Sequence, residues 1–206
     1  ISGPTGSGKS TTLYAALQEI KSDSINITTV EDPVEYQIPG INQIQVHESI
    51  GLTFAAALRS ILRQDPDVLL IGEIRDQETA DIAVKFSMTG HLVFSTVHAN
   101  DAPSTISRLL DLGIPPFLLG SSLNLIMAQR LVRTIDPDEK QEDNPSKEDL
   151  NRLGITDSSS MKFFKGNPTQ QNHNTGYKGR TAIHEILEVN SSIRDMIFDE
   201  KSESDI

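Results

Sequence analysis

A glycine-rich octapeptide near the start of the chain constrains its fold more than any other feature. It matches the pattern G-x-x-x-x-G-K-[ST] and reads Gly3, Pro4, Thr5, Gly6, Ser7, Gly8, Lys9 and Ser10. The motif lies between the end of a predicted strand and a predicted helix over residues 11–20, which is the setting of a phosphate-binding loop. Glycines let backbone N–H groups point at phosphate oxygens, and Lys9 adds a positive charge. We therefore predict that the octapeptide and Thr11 bind ATP, with Ser10 as a magnesium ligand.

Strands and helices alternate along residues 1–134, which predicts an α/β domain with a parallel sheet. The apolar runs at residues 68–71 and 92–96 are typical of strands buried on both faces. Two further strands are predicted at residues 25–30 and 41–46. Helices are predicted over residues 11–20, 53–62, 77–88, 102–112 and 116–131.

Composition excludes several classes of protein. The 206 residues contain no cysteine, which rules out disulfides and thiolate metal sites and suits a reducing compartment. A net charge of −11 argues against binding to nucleic acid or anionic lipid, because both need a positive surface. No apolar run approaches the roughly 18 residues of a membrane span, so we expect a cytoplasmic protein without direct membrane insertion.

The chain changes character near residue 135. Residues 136–160 are acidic and polar, and Leu150, Leu153 and Ile155 are expected to line one short amphipathic helix. A strand over residues 177–187 and a helix over residues 192–198 follow. We therefore predict an ATPase core over residues 1–134 and a small C-terminal extension over residues 135–206. Because the chain lacks an initiator methionine, we expect a fragment whose first strand is truncated.

Polar side chains follow several predicted strands at their carboxyl ends, where ligands bind in open α/β sheets. Glu31 follows the strand that ends at residue 30, Glu73 follows residues 68–71, and His98 follows residues 92–96. A carboxylate at this edge can hold magnesium through water or orient an attacking water. The alternatives are a solvated surface acid and a structural histidine. Arginines 59, 63 and 75 either contact phosphate or lie on the surface in ion pairs.

Four segments resemble the nucleotide-site boxes of the secretion ATPase superfamily. Residues 3–10 resemble the Walker A box, 31–35 the Asp box, 70–76 the Walker B box and 95–101 the His box. Residues 40–46 and 128–133 resemble the branch that drives type II secretion and type IV pilus assembly. The resemblance covers residues 1–134 and 176–198.

The resemblance implies a RecA-like P-loop NTPase domain, with a twisted and mostly parallel sheet and helices on both faces. It also implies magnesium-dependent ATP hydrolysis that powers type II secretion or assembly of a pilus-like fibre. The full-length protein is expected to form a homo-hexamer. Inner-membrane platform proteins are its expected partners, which makes it a cytoplasmic protein peripheral to the inner membrane.

The same resemblance implies roles for individual residues. Glu31 is the expected water-activating base, Glu73 is expected to serve magnesium and water, and His98 is expected to sense the γ-phosphate. Four further side chains are candidates for contacts with phosphate or with a neighbouring subunit: Arg59, Arg63, Arg75 and His91.

One departure from the family pattern concerns zinc. The assembly branch usually carries two Cys-x-x-Cys pairs after the segment that residues 129–133 resemble. Asp136, Glu139, Thr169 and Asn172 stand at those places. Threonine and asparagine are poor zinc ligands, so we expect a degenerate subdomain without zinc.

Two other functions stay open at this point. A RecA-like motor acting on DNA would share the fold and the phosphate loop, although the net charge of −11 argues against it. A non-catalytic nucleotide-binding subunit is the second alternative. Lys9, Ser10, Glu31 and Glu73 are all present, which argues against that alternative.

Overall fold

The computed structural model describes residues 1–206 and contains eight strands and seven α-helices. The strands are β1 (Ile27–Glu31), β2 (Asn42–Gln45), β3 (Val68–Ile71), β4 (Leu92–Ser95), β5 (Leu125–Ile135), β6 (Lys140–Asp143), β7 (Phe163–Gly166) and β8 (Tyr177–Glu188). The helices are α1 (Lys9–Ile20), α2 (Phe54–Ile61), α3 (Gln77–Met88), α4 (Ala102–Asp111), α5 (Pro116–Ser122), α6 (Lys147–Arg152) and α7 (Ser191–Phe198).

Strands β1 to β4 form one parallel sheet in the order β2-β1-β3-β4. The register places Val30 beside Ile71 and Ile71 beside Ser95, so the carboxyl ends of β1, β3 and β4 meet at one edge. Because parallel strands need crossover connections, helices follow β3 and β4 directly along the chain. The predicted α/β fold with a parallel sheet is confirmed.

Strand β3 divides two hydrophobic cores. Leu69 and Ile71 pack in one core with residues of α2, α3, α4, α5 and α7. Val68 and Leu70 pack in the other core against α1. Alternate residues of a strand point to opposite faces, so a continuous apolar run is what a strand between two helical layers requires.

Three helices of the first core have a short polar side chain as their N-terminal cap. The Thr53 hydroxyl accepts a hydrogen bond from the Ala56 N–H at 3.2 Å, which caps α2 as predicted. Asp76 caps α3 through the Thr79 N–H at 2.8 Å. Asp101 caps α4 through the N–H of Ser104, also at 2.8 Å. Each side chain satisfies a backbone donor that has no partner within its helix.

The helix predicted over residues 116–131 is wrong in its second half. Helix α5 ends at Ser122, Leu123 has extended backbone angles, and β5 begins at Leu125. The strand is favoured because its backbone pairs with other segments: β5 pairs with β8, and Gln129 N–H donates to the Ser2 carbonyl at 2.9 Å. This pairing overrides the helical propensity of the leucine, methionine, alanine and glutamine in the segment.

Strand β4 is less buried than its sequence predicts. It lies at the edge of the four-stranded sheet, and 42% of Leu92 is exposed. Beyond this edge, Ser2 makes single parallel bridges to Val97 and to Ala128. Ile1 pairs there as well, since its carbonyl accepts from the Val97 N–H at 3.0 Å, and the apolar side chains of β4 line an apolar cavity.

The chain divides into two compact units, Ile1–Arg130 with His184–Ile206 and Leu131–Ile183. This division differs from the predicted boundary at residue 134, because residues 184–206 group with the first unit. The reason is burial: Val189 and Ile197 belong to the larger hydrophobic core.

The second unit contains two strands that the sequence analysis missed. Strands β6 and β7 pair antiparallel, with Lys140 beside Gly166 and Asp143 beside Phe163. The predicted short helix corresponds to α6, but the prediction that apolar residues line it is not matched by burial, since 71% of Leu153 is exposed. The unit has no fully buried hydrophobic side chain; its buried residues are Asp136, Asn172 and Gly176.

Candidate nucleotide-binding site

The glycine-rich segment forms a loop that ends in helix α1. Gly3, Gly6 and Gly8 have φ angles of 141°, 76° and 84°, a region that residues with a side chain rarely adopt. No side chain caps α1, so its first N–H groups are not satisfied by a capping residue. An uncapped helix N-terminus beyond a glycine loop is suited to bind an anion such as phosphate.

Lys9 folds back over this loop. Its Nζ donates to the carbonyl oxygens of Gly3 at 2.9 Å and Pro4 at 3.1 Å. Burial lowers the pKa of Lys9, and the negative charge of Glu73 partly offsets this effect. The ammonium group therefore lies among oxygen acceptors at the mouth of the loop, where a phosphate would replace the two carbonyls.

Glu73, Arg75 and His98 form a charged cluster at the carboxyl ends of β3 and β4. Arg75 Nε lies 2.6 Å from Glu73 Oε2, and His98 Nε2 lies 3.6 Å from the same oxygen. Hydrogen bonding to Glu73 raises the pKa of Arg75. Arg75 Nη2 also donates to Glu73 Oε1 at 2.6 Å, so both carboxylate oxygens contact the guanidinium group. A further ligand of this carboxylate would therefore compete with the ion pair to Arg75.

Hydrogen bonds between neighbouring strand ends hold this cluster in place. The Thr96 hydroxyl donates to the Gly72 carbonyl at 2.6 Å, and the Ile74 N–H donates to the Thr96 carbonyl at 2.9 Å. A Cβ at Gly72 would lie 3.2 Å from Glu31 Cα, so glycine permits the close approach of β1. The strand ends that carry Glu31, Glu73 and His98 therefore meet, as their positions in the sequence predict.

The Glu31 carboxylate, the expected water-activating base, is buried and hydrogen-bonded to protein groups in this chain. It is 96% buried, and both oxygens are already bonded: Oε2 accepts from the Tyr14 hydroxyl, and Oε1 from Thr29 at 2.6 Å and Gln43 at 3.3 Å. Burial and the bond to Glu31 together raise the pKa of Tyr14. Three of the roughly four acceptor sites of this carboxylate are thus bonded to side chains of α1, β1 and β2, so Glu31 joins these elements.

Three other candidates lie away from the loop. His91 precedes β4, at the amino end of that strand, where its ring stacks on Phe86 with centroids 4.1 Å apart. Arg59 is exposed and paired with Glu78. Arg63 is exposed and makes no ion pair within the chain. Contacts of these residues with phosphate are not supported by their positions in this chain, because each side chain is directed to other partners or to solvent.

Sequence analysis missed two side chains that shape the site. Tyr14 bonds Glu31, and Gln129 bonds the phosphate loop itself, with Nε2 donating to the Ser7 carbonyl at 2.6 Å. Helical spacing would have placed Tyr14 only in the core. A helix is predicted over residues 116–131, so no strand pairing beside the loop is expected. The contact of Gln129 with the loop therefore could not be predicted.

The residues present fit magnesium but do not fit zinc. Ser10 is exposed at the start of α1, and Glu73 supplies carboxylate oxygens, the kind of donor that magnesium prefers. At the places of the family's cysteine pairs, the Asn172 amide donates to Asp136 Oδ2 at 3.4 Å and to the Asn167 carbonyl at 2.9 Å. No group of three or more histidine and acidic side chains is placed to hold a metal ion.

No helix is both long and apolar enough to cross a membrane. This finding agrees with the lack of a long apolar run in the sequence.

Comparison with known proteins identifies close relatives of the whole chain. The model of the family described as Type II/IV secretion system protein matches residues 1–206. The Type II secretion system ATPase E of Vibrio cholerae is 50% identical over 203 residues, which are 98% of this chain and 40% of that protein. The Type IV pilus assembly ATPase PilB of Myxococcus xanthus is 48% identical over 209 residues, covering 100% of this chain and 37% of that protein. The chain thus spans about 40% of the length of these relatives.

Two solved structures share the fold. The pilus retraction motor PilT with bound ADP superposes with a TM-score of 0.70 at 32% identity, covering 98% of this chain and 50% of that one. The ATPase DotB of Legionella pneumophila gives a TM-score of 0.66 at 26% identity, covering 99% and 48%. A family match over all 206 residues, joined to relatives at about half identity, shows that the chain belongs to the Type II/IV secretion system protein family.

Proposed function

We propose that the chain is the nucleotide-hydrolysing part of an ATPase that powers type II secretion or assembly of a type IV pilus-like fibre. The observation that carries this proposal is the glycine-rich loop, in which Lys9 folds back over three glycines with positive φ angles at the uncapped start of α1. The names of the relatives, a secretion ATPase and a pilus assembly ATPase, support the same activity.

Each group at the site has a distinct part in the proposed reaction. The loop N–H groups and Lys9 bind the β- and γ-phosphates, because both present positive charge to phosphate oxygens. Glu73 orients the attacking water through its carboxylate, and His98, at 3.6 Å from Glu73 Oε2, contacts the γ-phosphate. Arg75 holds the Glu73 carboxylate in position through contacts with both of its oxygens.

Ser10 and Glu73 would hold magnesium, the former directly and the latter through water. When bound, the ion supplies positive charge that neutralises the charge developing on the phosphates. Glu31, Arg59, Arg63 and His91 have no part in this arrangement within one chain. In the proposed hexamer, the exposed arginines would contact a neighbouring subunit.

The larger assembly is proposed from the relatives. A homo-hexamer in the full-length protein would place neighbouring chains around the exposed edge of the nucleotide site. Platform proteins of the inner membrane would be its partners, and the motor would lie in the cytoplasm, peripheral to that membrane. Magnesium dependence of the ATPase belongs to the same proposal.

Two substitutions in the full-length protein test this function. Lys9→Ala should abolish phosphate release and weaken ATP binding, because the phosphates lose their positive partner. Glu73→Gln should keep ATP binding but slow phosphate release by about a hundredfold or more, the range expected for loss of a catalytic group. Binding is measured with a fluorescent ATP analogue, and hydrolysis by phosphate release with and without magnesium.

Matched controls are available on the same unit. Lys85→Ala and Glu19→Gln change exposed side chains of the same types and should leave both measurements unchanged. Normal turnover of the Lys9→Ala variant would refute the assignment of the phosphate loop. Loss of ATP binding in Glu73→Gln would show that Glu73 serves to capture the metal or to maintain structure.

A further inference from the structure

Gln129 is a buried polar side chain that joins strand β5 to the phosphate loop. Only 1% of its surface is exposed. Its Nε2 donates to the Ser7 carbonyl at 2.6 Å, across 122 positions in the chain. Its Oε1 accepts from the Thr12 hydroxyl at 2.8 Å and faces His184 Nε2 at 3.2 Å.

The two partners of the amide lie on either side of Lys9. Ser7 belongs to the loop, and Thr12 belongs to the first turn of α1. One donor and one acceptor on the same planar group are needed to bond a carbonyl and a hydroxyl at these positions, and an amide supplies both. The side chain therefore spans the segment that carries Lys9 and Ser10 and fixes its ends relative to each other.

The backbone of Gln129 makes contact with the start of the loop as well. Its N–H donates to the Ser2 carbonyl at 2.9 Å, and a Cβ at Gly3 would lie 2.4 Å from the Gln129 carbonyl oxygen. Gly3 therefore has no room for a side chain beside β5. Backbone and side chain of one residue thus contact the loop at Ser2, Gly3 and Ser7.

A loop held in its binding shape before the ligand arrives loses less conformational entropy on binding. The loop has three residues with positive φ angles, so little in its own sequence keeps it in one conformation. We propose that Gln129 is a positioning residue that keeps the phosphate loop in its nucleotide-binding conformation. This inference rests on the proposed function of the loop.

The test compares ADP binding by the full-length protein and its Gln129→Met variant. Methionine keeps the length of the side chain but removes both the donor and the acceptor. The affinity for ADP with magnesium, measured by calorimetry, should fall about tenfold, the effect expected from loss of hydrogen bonds that fix the loop. Hydrolysis should show the same rise in KM and nearly the original kcat, because saturating nucleotide restores the loop.

Two further variants separate positioning from general stability. Gln64→Met makes the same change on an exposed side chain without a hydrogen bond and should leave ADP affinity unchanged. Thr12→Val removes the hydroxyl that bonds Oε1, so it should weaken ADP binding by itself. In the double variant with Gln129→Met, the loss of ADP affinity should be smaller than the sum of the two separate losses, because the two residues act through one contact.

Hydrogen exchange gives a readout that does not depend on turnover. In the nucleotide-free protein, amides of residues 3–10 should exchange faster in Gln129→Met than in the Gln64→Met control. If Gln129→Met fails to fold, Thr12→Val provides the same comparison with only one bond lost.

The outcomes distinguish the inference from the function on which it rests. Unchanged ADP affinity and loop exchange in Gln129→Met or, if it fails to fold, in Thr12→Val overturn the positioning role. Independent, fully additive effects of the two substitutions overturn it as well. If the unaltered protein binds no ADP, the proposed function of the loop fails, and the inference fails with it.

Discussion

Glu31 illustrates how burial decides the chemistry that a single carboxylate can perform. Its position at the end of β1 matches that of a catalytic acid, yet Tyr14, Thr29 and Gln43 donate hydrogen bonds to its oxygens. The bond from Tyr14 also ties β1 to α1, the helix that follows the phosphate loop. At this scale, the bonds of Glu31 contribute to the geometry of the site.

Tyr14→Phe tests this link with the loss of one hydroxyl. The free energy of unfolding should fall by about 1.5–3 kcal/mol, because a buried hydrogen bond to a charged group is lost. Urea unfolding of the purified protein measures the change. Tyr36→Phe is the matched control, since Tyr36 is 51% exposed and its hydroxyl makes no hydrogen bond within the chain. Equal effects of the two variants would contradict the proposed link.

Residues of the site differ in how well sequence predicts them. Lys9, Glu73 and His98 lie within or directly after recognisable local patterns, so their grouping follows from the parallel sheet. Gln129 and Tyr14 bond partners far away in the chain, and no local pattern reports such contacts. Only the pairing of β5 beside Ser2 reveals why a glutamine stands at position 129.

Among the elements, β3 and β5 show when local pattern is sufficient. Strand β3 has four apolar residues that face two cores. Its own sequence therefore predicts burial on both faces, and its bounds are as predicted. Strand β5 has residues that favour a helix, and pairing with β8 decides its conformation. Strands β6 and β7 have four residues each and show no alternation of apolar and polar residues, which leaves their pairing without a signal in the sequence.

The start of helix α4 gives a prediction that depends on pH. Hydrogen bonds from the Ser104 hydroxyl and N–H lower the pKa of Asp101 below its ordinary value of 3.8. Ionised Asp101 therefore stabilises the folded protein at neutral pH. This contribution should be lost as the pH falls below 3.8 and through the lower pKa of the folded state.

Asp101→Ala measures this contribution. The free energy of unfolding should fall by about 0.5–2 kcal/mol near pH 7, the usual loss for a helix cap. The difference from the unaltered protein should shrink progressively below pH 3.8, where the carboxylate becomes protonated. Asp111→Ala changes an exposed acid on the same helix and serves as the control. A difference that stays constant with pH would contradict the role of the charge.

At the scale of the whole molecule, the two units are stabilised by different means. The first unit has two hydrophobic cores, whereas the second buries only Asp136, Asn172 and Gly176. The Asn172 side chain accepts from the N–H of Thr169 at 2.9 Å and of Gly176 at 3.1 Å, and it donates to Asp136 and Asn167. These bonds join the segments where relatives in the assembly branch are expected to carry zinc.

Asn172→Ala should therefore destabilise the second unit, and the addition or removal of metal should not change this effect. Local stability should fall by about 2–4 kcal/mol, because several buried groups lose their partner. Faster hydrogen exchange at residues 136–139 and 167–176 measures the effect, with exposed Asn151→Ala as the control. The unaltered protein should contain no stoichiometric zinc, and a chelator should leave its Tm unchanged. One zinc per chain would contradict this account.

The polar interior of the second unit has a thermodynamic consequence. Exposure of apolar surface raises the heat capacity of a protein on unfolding, whereas exposure of polar surface lowers it. Because Leu131–Ile183 encloses a hydrogen-bonded asparagine in place of an apolar core, its opening contributes little to the heat capacity change. Its stability therefore varies with temperature along a flatter curve than that of the nucleotide-binding unit, and warming affects the two parts of the chain unequally.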